Sequence, residues 1–373
     1  MAKVSRLLAL VLVAALLFGP AIANAETPGK WTNTTGYPVQ IAGDSCATLS
    51  MRIYCVGGFD ANGEKHSEVY TASLSASGFG AWTAGPTYPT AIDSASCVNA
   101  TNGIYCIGGE VGSTVLDDAY LAPATSSGIG AWSGVALYPA DAAALSCVTY
   151  SGYIYCVGGF DSNGKEMSSA YFASTSSGLN SWSGTTHYPL PVDSESCVVV
   201  LGYMYCVGGE TENGQNQNSP TTAVYRAPLS SSGIGQWQSV QALPTALAAL
   251  SCAQWSGYIY CVGGVDVNLL SNSDVFYAQA TSLGLSSWAN ANAYPLPVDT
   301  GSCVTASGYL YCVTGNSVQL NGQSMVDTAY FAAIPGGASQ AATPEFPVAA
   351  AVPMVLAVGL LAVAWMGRTN RRS

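Results

Sequence analysis

The chain has 373 residues, 49% of them hydrophobic and only 8% charged, with 21 acidic against 10 basic residues and a net charge of −11. So little charge leaves no material for long solvated helical faces, while 41 glycines and 22 tyrosines suit many short strands and turns. Residues 26–345 hold all 21 acids and only Lys30, Arg52, Lys65, Lys165 and Arg226, a balance near −16 that repels phosphate backbones and argues against nucleic acid as a partner.

Residues 1–25 read as a secretory signal peptide. Lys3 and Arg6 precede an apolar core from Leu7 to Phe18, and Ala23-Asn24-Ala25 offers a small-residue cleavage site. An uncleaved membrane anchor is the alternative, although the apolar run is short for a span.

Residues 26–334 repeat one unit six times. Its clearest copy is Ser146–Gly159: an apolar arm, a Ser151-Gly152 turn, a second apolar arm and a Gly-Gly stop. A third strand is expected around Tyr70, Tyr120, Tyr171, Tyr225, Tyr277 and Tyr330. A fourth is expected from Trp31, Trp82, Trp132, Trp182, Trp237 and Trp288, each closed by a Pro. Four strands in each of six units, at a period of 50 to 55 residues, predict an all-β, six-bladed β-propeller of four-stranded blades. The region begins with a lone fourth strand and ends with a lone third strand. The N-terminal strand is therefore expected to complete the last blade, three strands plus one, and to remove a raw sheet edge.

The twelve cysteines fall as six pairs, Cys46-Cys55, Cys97-Cys106, Cys147-Cys156, Cys197-Cys206, Cys252-Cys261 and Cys303-Cys312. A two-residue turn at 151–152 sets Cys147 opposite Cys156 at a non-hydrogen-bonded position, where Cα atoms are about 4.5 Å apart. That separation is within disulfide reach, and secretion favours oxidation, so six hairpin disulfides are expected. Eight intervening residues and two histidines in the whole chain make a zinc site a poor alternative; free buried thiols are the other.

The apolar hairpin, the Gly-Gly, the following Tyr and then the Trp resemble the Kelch repeat over residues 31–334. Two features depart from it: the long interval from Tyr171 to Trp182, and Thr314-Gly315 in place of Gly-Gly in the sixth copy.

A two-blade period runs through the six copies. Ala42, Asp93, Ala143, Asp193, Ala248 and Asp299 stand four residues before each first cysteine. After the glycines come Asp60, Glu110, Asp161, Glu210, Asp266 and Asn316. A ring of three two-blade units follows, with Asp93, Asp193 and Asp299 expected to face one another at one mouth of the channel beside Glu195. Two readings stand. The carboxylates hold Ca²⁺ or another hard cation, or each Asp bonds the backbone amides of its own turn. The second is the plainer, and it leaves the chain without a metal or cofactor. Asp60-Ala-Asn-Gly63 and Asp161-Ser-Asn-Gly164 faintly resemble calcium loops but lack the remaining ligand spacing.

The two histidines, His66 and His187, fall in different blades and no serine or cysteine nucleophile has an evident histidine partner, so the chain is read as a non-enzyme that binds an extracellular protein or glycan. The rival is a surface hydrolase or lyase acting on glycans through Asp93, Asp193, Asp299 or Glu195. Asn33 and Asn99 lie in glycosylation sequons.

Residues 335–345 form a flexible linker, 346–367 a transmembrane or sorting helix, and 368–373 a basic cytoplasmic tail. The ending Pro344-Glu345-Phe346-Pro347, apolar segment and arginines resembles the PEF-type sorting signals of archaeal surface proteins. That resemblance implies cleavage by a sorting transpeptidase and re-attachment to lipid. A plain single-span anchor is the alternative. Either way the protein is expected on the outer face of a membrane.

Overall fold

The structure is a computed structural model that describes residues 27–334 apart from 177, 213–217 and 321. The chain divides into Met1–Ala338 and Ser339–Ser373, and all described residues belong to the first unit. The expected signal peptide, linker, apolar helix and basic tail lie outside the described residues. Among the described residues no helix is long and apolar enough to cross a membrane.

Six antiparallel sheets follow one another along the chain as the blades of a β-propeller. In the third blade the strands are Ser146–Tyr150, Tyr153–Val157, Ala170–Ser174 and Ser183–Gly184. The turn between the first two uses Ser151 and Gly152, both at positive φ, the conformation that a two-residue hairpin matched to strand twist requires. Register follows from it, with Tyr150 opposite Tyr153 and Cys147 opposite Cys156. The same opposition recurs in all six hairpins. All six pairs are disulfides with Cα atoms 4.0 to 4.1 Å apart.

The second strands are apolar on both faces because each is sandwiched between neighbouring blades. Ile53, Ile104, Ile154, Met204, Ile259 and Leu310 are fully buried there, each side chain worth about 1.5–3 kcal/mol of transfer free energy. The core is accordingly not central. It is divided into clusters that bridge adjacent blades, as where Tyr105 and Ile107 of the second blade meet Ile154 and Cys156 of the third.

The ring closes as expected. Thr32–Asn33 pairs with the third strand of the last blade, with Asn33 opposite Tyr330 and Thr32 opposite Phe331. In the fifth blade the third-strand series needs a correction. Cys261 pairs with Phe276, the position that Tyr70, Tyr120, Tyr171, Tyr225 and Tyr330 occupy elsewhere, so Tyr277 is one residue out of phase. In the first, second, fourth and fifth blades the long interval before the Trp is filled by a fold-back of the third strand. The third strand of the first blade runs on to Ser75 and folds back through Gly78–Phe79 before the outer strand Thr83–Ala84.

The two-blade period is structural as well. Even blades carry a hairpin between their second and third strands, such as Glu110–Val111 with Thr114–Val115. Odd blades carry a tight turn instead, in which Asp60 accepts the Asn62 and Glu64 amides at 2.8 and 2.9 Å.

Each disulfide closes a short loop, so removing one pair (Cys147→Ala with Cys156→Ala) should cost no more than roughly 3 kcal/mol on the loop-entropy model, read from urea midpoints. The unreduced protein should weigh 12 Da less than the sequence with twelve free thiols. A mass equal to the fully reduced value would overturn the pairing.

Candidate functional site

The candidate site grows from the residues that lead into each inner strand. Gly43, Ser94, Ala144, Ser194, Ala249 and Thr300 all take positive φ. Each donates its amide to the carbonyl of the equivalent residue one blade back, at 2.8 to 3.0 Å, and Gly43 closes the circle by donating to Thr300. The residue before each ring member is the alternating Ala or Asp. Its backbone pairs with the residue that follows the Gly-Gly of its own blade: Ala42 with Phe59, Asp93 with Glu110, Ala143 with Phe160, Asp193 with Glu210, Ala248 with Val265 and Asp299 with Asn316.

Asp93, Asp193 and Asp299 are therefore at one mouth, as expected, but not as one axial trio. Each is buried, 5 to 7% exposed, and belongs to a seam where an odd blade meets the next even one. In the first seam Lys65 Nζ lies 2.8 Å from Asp93 Oδ1 and 3.2 Å from Glu110 Oε1. In the third, Ser271 Oγ donates to Asp299 Oδ2 at 2.5 Å and Asn316 Nδ2 donates to Oδ1 at 3.3 Å. The second seam brings together Glu166, Asp193 and Glu210. Burial raises all three aspartate pKa values. Lys65 opposes the rise at Asp93, and hydrogen bonds from Ser271, Thr300 and Asn316 oppose it at Asp299; at Asp193, which reaches about 7, a hydrogen bond with Ser194 opposes it while Glu210 and Glu166 add to it. Burial, then Glu166, also raises Glu210. Residues 65, 166 and 271 carry no motif of their own. They become visible only when the two-blade period is used to superpose the loops.

Asp60, Asp161 and Asp266 do not join these seams. Each accepts amides of its own turn, including Asn163 to Asp161 and Asn268 to Asp266, both at 2.8 Å. Those bonds lower their pKa values, the turn-capping reading.

Glu195 belongs to a different series, the residue just before the Ser-Cys dipeptide. There Leu145 packs against Gly108, Leu250 against Gly208, and the Glu195 carboxyl against Gly158. In the sixth blade Thr314 replaces the glycine, and the facing residue is Asp44, which accepts the Thr314 hydroxyl at 2.5 Å. This pair explains the departure from Gly-Gly. Burial drives Asp44 up to about 7 and Glu195 well above the carboxylate range. Asp44 also lies close to Cys46 and Cys55, but their sulfurs are joined in a disulfide and have no thiolate to offer a metal.

A channel of about 250 Å³ follows the axis, walled by the inner strands. Thr48, Asn99, Thr149, Val199, Gln254 and Thr305 occupy equivalent wall positions without a charge among them. Asn99 is thus a channel residue, whereas Asn33 is exposed on the outermost strand of the last blade. At the opposite mouth, where the inner hairpins turn, a cleft of about 310 Å³ is lined by Leu49, Asn99, Thr149, Tyr150, Tyr153 and Thr175 among others. His66 lies 3.2 Å from Glu68, and His187 is in another blade. Arg226, not singled out from the sequence, is a buried cation. It donates to the Thr281 and Ser282 carbonyls of the next blade at 3.1 and 3.2 Å and lies over the Tyr203 ring.

No family model matches the chain, and no curated protein matches its sequence at a significant level. The site is read from its own chemistry, and Asp44 offers the sharpest check. Its folded pKa of about 7 lies above its ordinary value of 3.8, so folding takes up a proton between those limits. Its contribution to stability is therefore greatest at acid pH and is lost as pH rises through about 7. The urea midpoint should fall between pH 5 and pH 8, and Asp44→Asn should flatten that fall. Thr314→Val should cost about 1–3 kcal/mol at pH 7 by removing the donor to a buried carboxyl.

Proposed function

We propose that this chain is a secreted binding module of Kelch-like build, held at the cell surface by residues 346–367 or by the lipid that replaces them after sorting at Pro344–Pro347. Six disulfides suit an oxidising exterior. The observation that carries the reading is the uncharged cleft at the hairpin-turn mouth. Tyr150 and Tyr153 are half-buried there beside Asn99, Thr101, Thr149 and Thr175. Aromatic faces next to uncharged hydrogen-bonding groups suit the hydroxyl edges and apolar faces of a neutral glycan. A rigid ring adds little ordering cost on binding.

The hydrolase or lyase reading has less behind it. Asp93, Asp193, Asp299 and Glu195 are buried, and Asp93 and Asp299 are already bonded to neighbouring side chains. Purified protein should bind neutral polysaccharides on an array and release no product from them. Tyr150→Ala with Tyr153→Ala should weaken binding at least about tenfold, the loss expected from stacking contacts worth a kcal/mol or more. Undiminished binding by that double variant would remove the cleft from the reading, and release of reducing ends by wild type would replace it with the rival.

A further inference from the structure

The three seams have the same backbone and different charge. Lys65, Glu166 and Ser271 are equivalent, because each pairs through one bridge with the residue after the Gly-Gly of its own blade: Phe59, Phe160 and Val265. With the acids and amide facing them, the first seam carries a formal charge of −1 from Lys65, Asp93 and Glu110. The third also carries −1, from Ser271, Asp299 and Asn316. The second carries −3 from Glu166, Asp193 and Glu210. A divalent cation there would bring all three seams to the same charge.

Glu166 itself points to a ligand. It is 5% exposed, and among the described residues its Oε1 has no hydrogen-bond partner. Two residues beyond Asp193, Glu195 is equally buried, and among the described residues neither of its carboxyl oxygens has a hydrogen-bond partner. Buried ionised groups need a partner, and one third of the way round the ring the equivalent position supplies a cation, the Lys65 ammonium, within 3.2 Å of two carboxylates.

We propose that the seam between the third and fourth blades binds a divalent cation of the calcium class, held by Glu166, Asp193 and Glu210 at the place where Lys65 stands in the seam between the first and second blades. As they stand, the three carboxyls do not converge on one point, so the ion must draw them in. That favours calcium, which accepts irregular sets of oxygens at 2.3–2.6 Å, over magnesium, which demands a near-ideal octahedron. Glu210 is half-buried and leaves a route from solvent. The site joins two blades, so its ion would add a cross-link at that seam, independently of whatever the opposite mouth binds.

The test is a charge exchange between seams, made in the intact protein after EDTA treatment and dialysis, with CaCl₂ alone as the probe. Calorimetry should show one calcium bound per chain, with a dissociation constant of about 10⁻⁴–10⁻³ M, the range of extracellular calcium modules, and calcium should raise the melting temperature. Glu166→Lys, which copies the first seam, should abolish both responses while melting in EDTA no lower than wild type. Lys65→Glu, which copies the second seam, should bind two calcium ions. Should that variant fail to fold, Glu210→Gln serves instead and should weaken calcium binding at least tenfold. A wild type that gives no heat and no melting shift in 10 mM CaCl₂, its seam then being held by protons, overturns the proposal. So does a Glu166→Lys variant that responds as wild type does.

Discussion

Six backbone hydrogen bonds, joined head to tail around the axis, hold the blades in register. They run through residues 43, 94, 144, 194, 249 and 300, each in the left-handed conformation. In that conformation one residue directs its amide toward the blade behind and its carbonyl toward the blade ahead. Five of the six are not glycine, so the ring holds them in a geometry that costs a side-chain-bearing residue roughly 1–2 kcal/mol. The neighbouring contacts repeat the same direction. In five seams the Oγ of the serine before the first cysteine accepts the next blade's cysteine amide at 2.9 Å. At the outer rim, the six outer-strand tryptophans, Trp31, Trp82, Trp132, Trp182, Trp237 and Trp288, each donate an indole N–H to a carbonyl of the blade before. The closing seam departs from this. There Ser302 donates to the Asp44 carbonyl and Thr314 to the Asp44 carboxyl, so the joint between chain ends has its own chemistry.

The candidate site depends on that ring. A residue beside a ring member is buried at a seam and cannot reach across the axis, so acids that alternate with alanine end up in three separate compartments. Each compartment then takes its character from a loop residue of the preceding blade. The same aspartate is ion-paired beside Lys65, hydrogen-bonded beside Ser271 and crowded by like charge beside Glu166. The channel wall, without charge at its equivalent positions, and the uncharged cleft at the opposite mouth face ligand chemistry of another kind.

Much of this was legible in the residues. Turn position and strand period placed Cys147 opposite Cys156, because pairing in a two-residue hairpin is counted outward from the turn. The unmatched strands at the two ends announced that the strand starting at Trp31 would lie beside that of Tyr330, about 300 residues away; the register, Asn33 opposite Tyr330, came from the structure. The alternation of Ala and Asp was also plain. Less legible was Tyr277, because two adjacent aromatic residues offer two phases for one strand and only pairing with Cys261 selects Phe276. The recurring serines and tryptophans could be counted as repeats, but their partners lie one blade away.

The local and periodic features are therefore properties of the sequence itself: six stapled hairpins, an all-β ring, its closure and a period of two blades. They rest on turn geometry, strand alternation and repetition, all of which act over short stretches of chain. The tertiary structure decided what the acids do. Whether a carboxylate is paired, bonded or left alone depends on which side chain arrives from the neighbouring blade. Lys65, Glu166 and Ser271 lie 28, 27 and 28 residues before the aspartates they meet, too far for any local rule to couple them and near only because the blades stack.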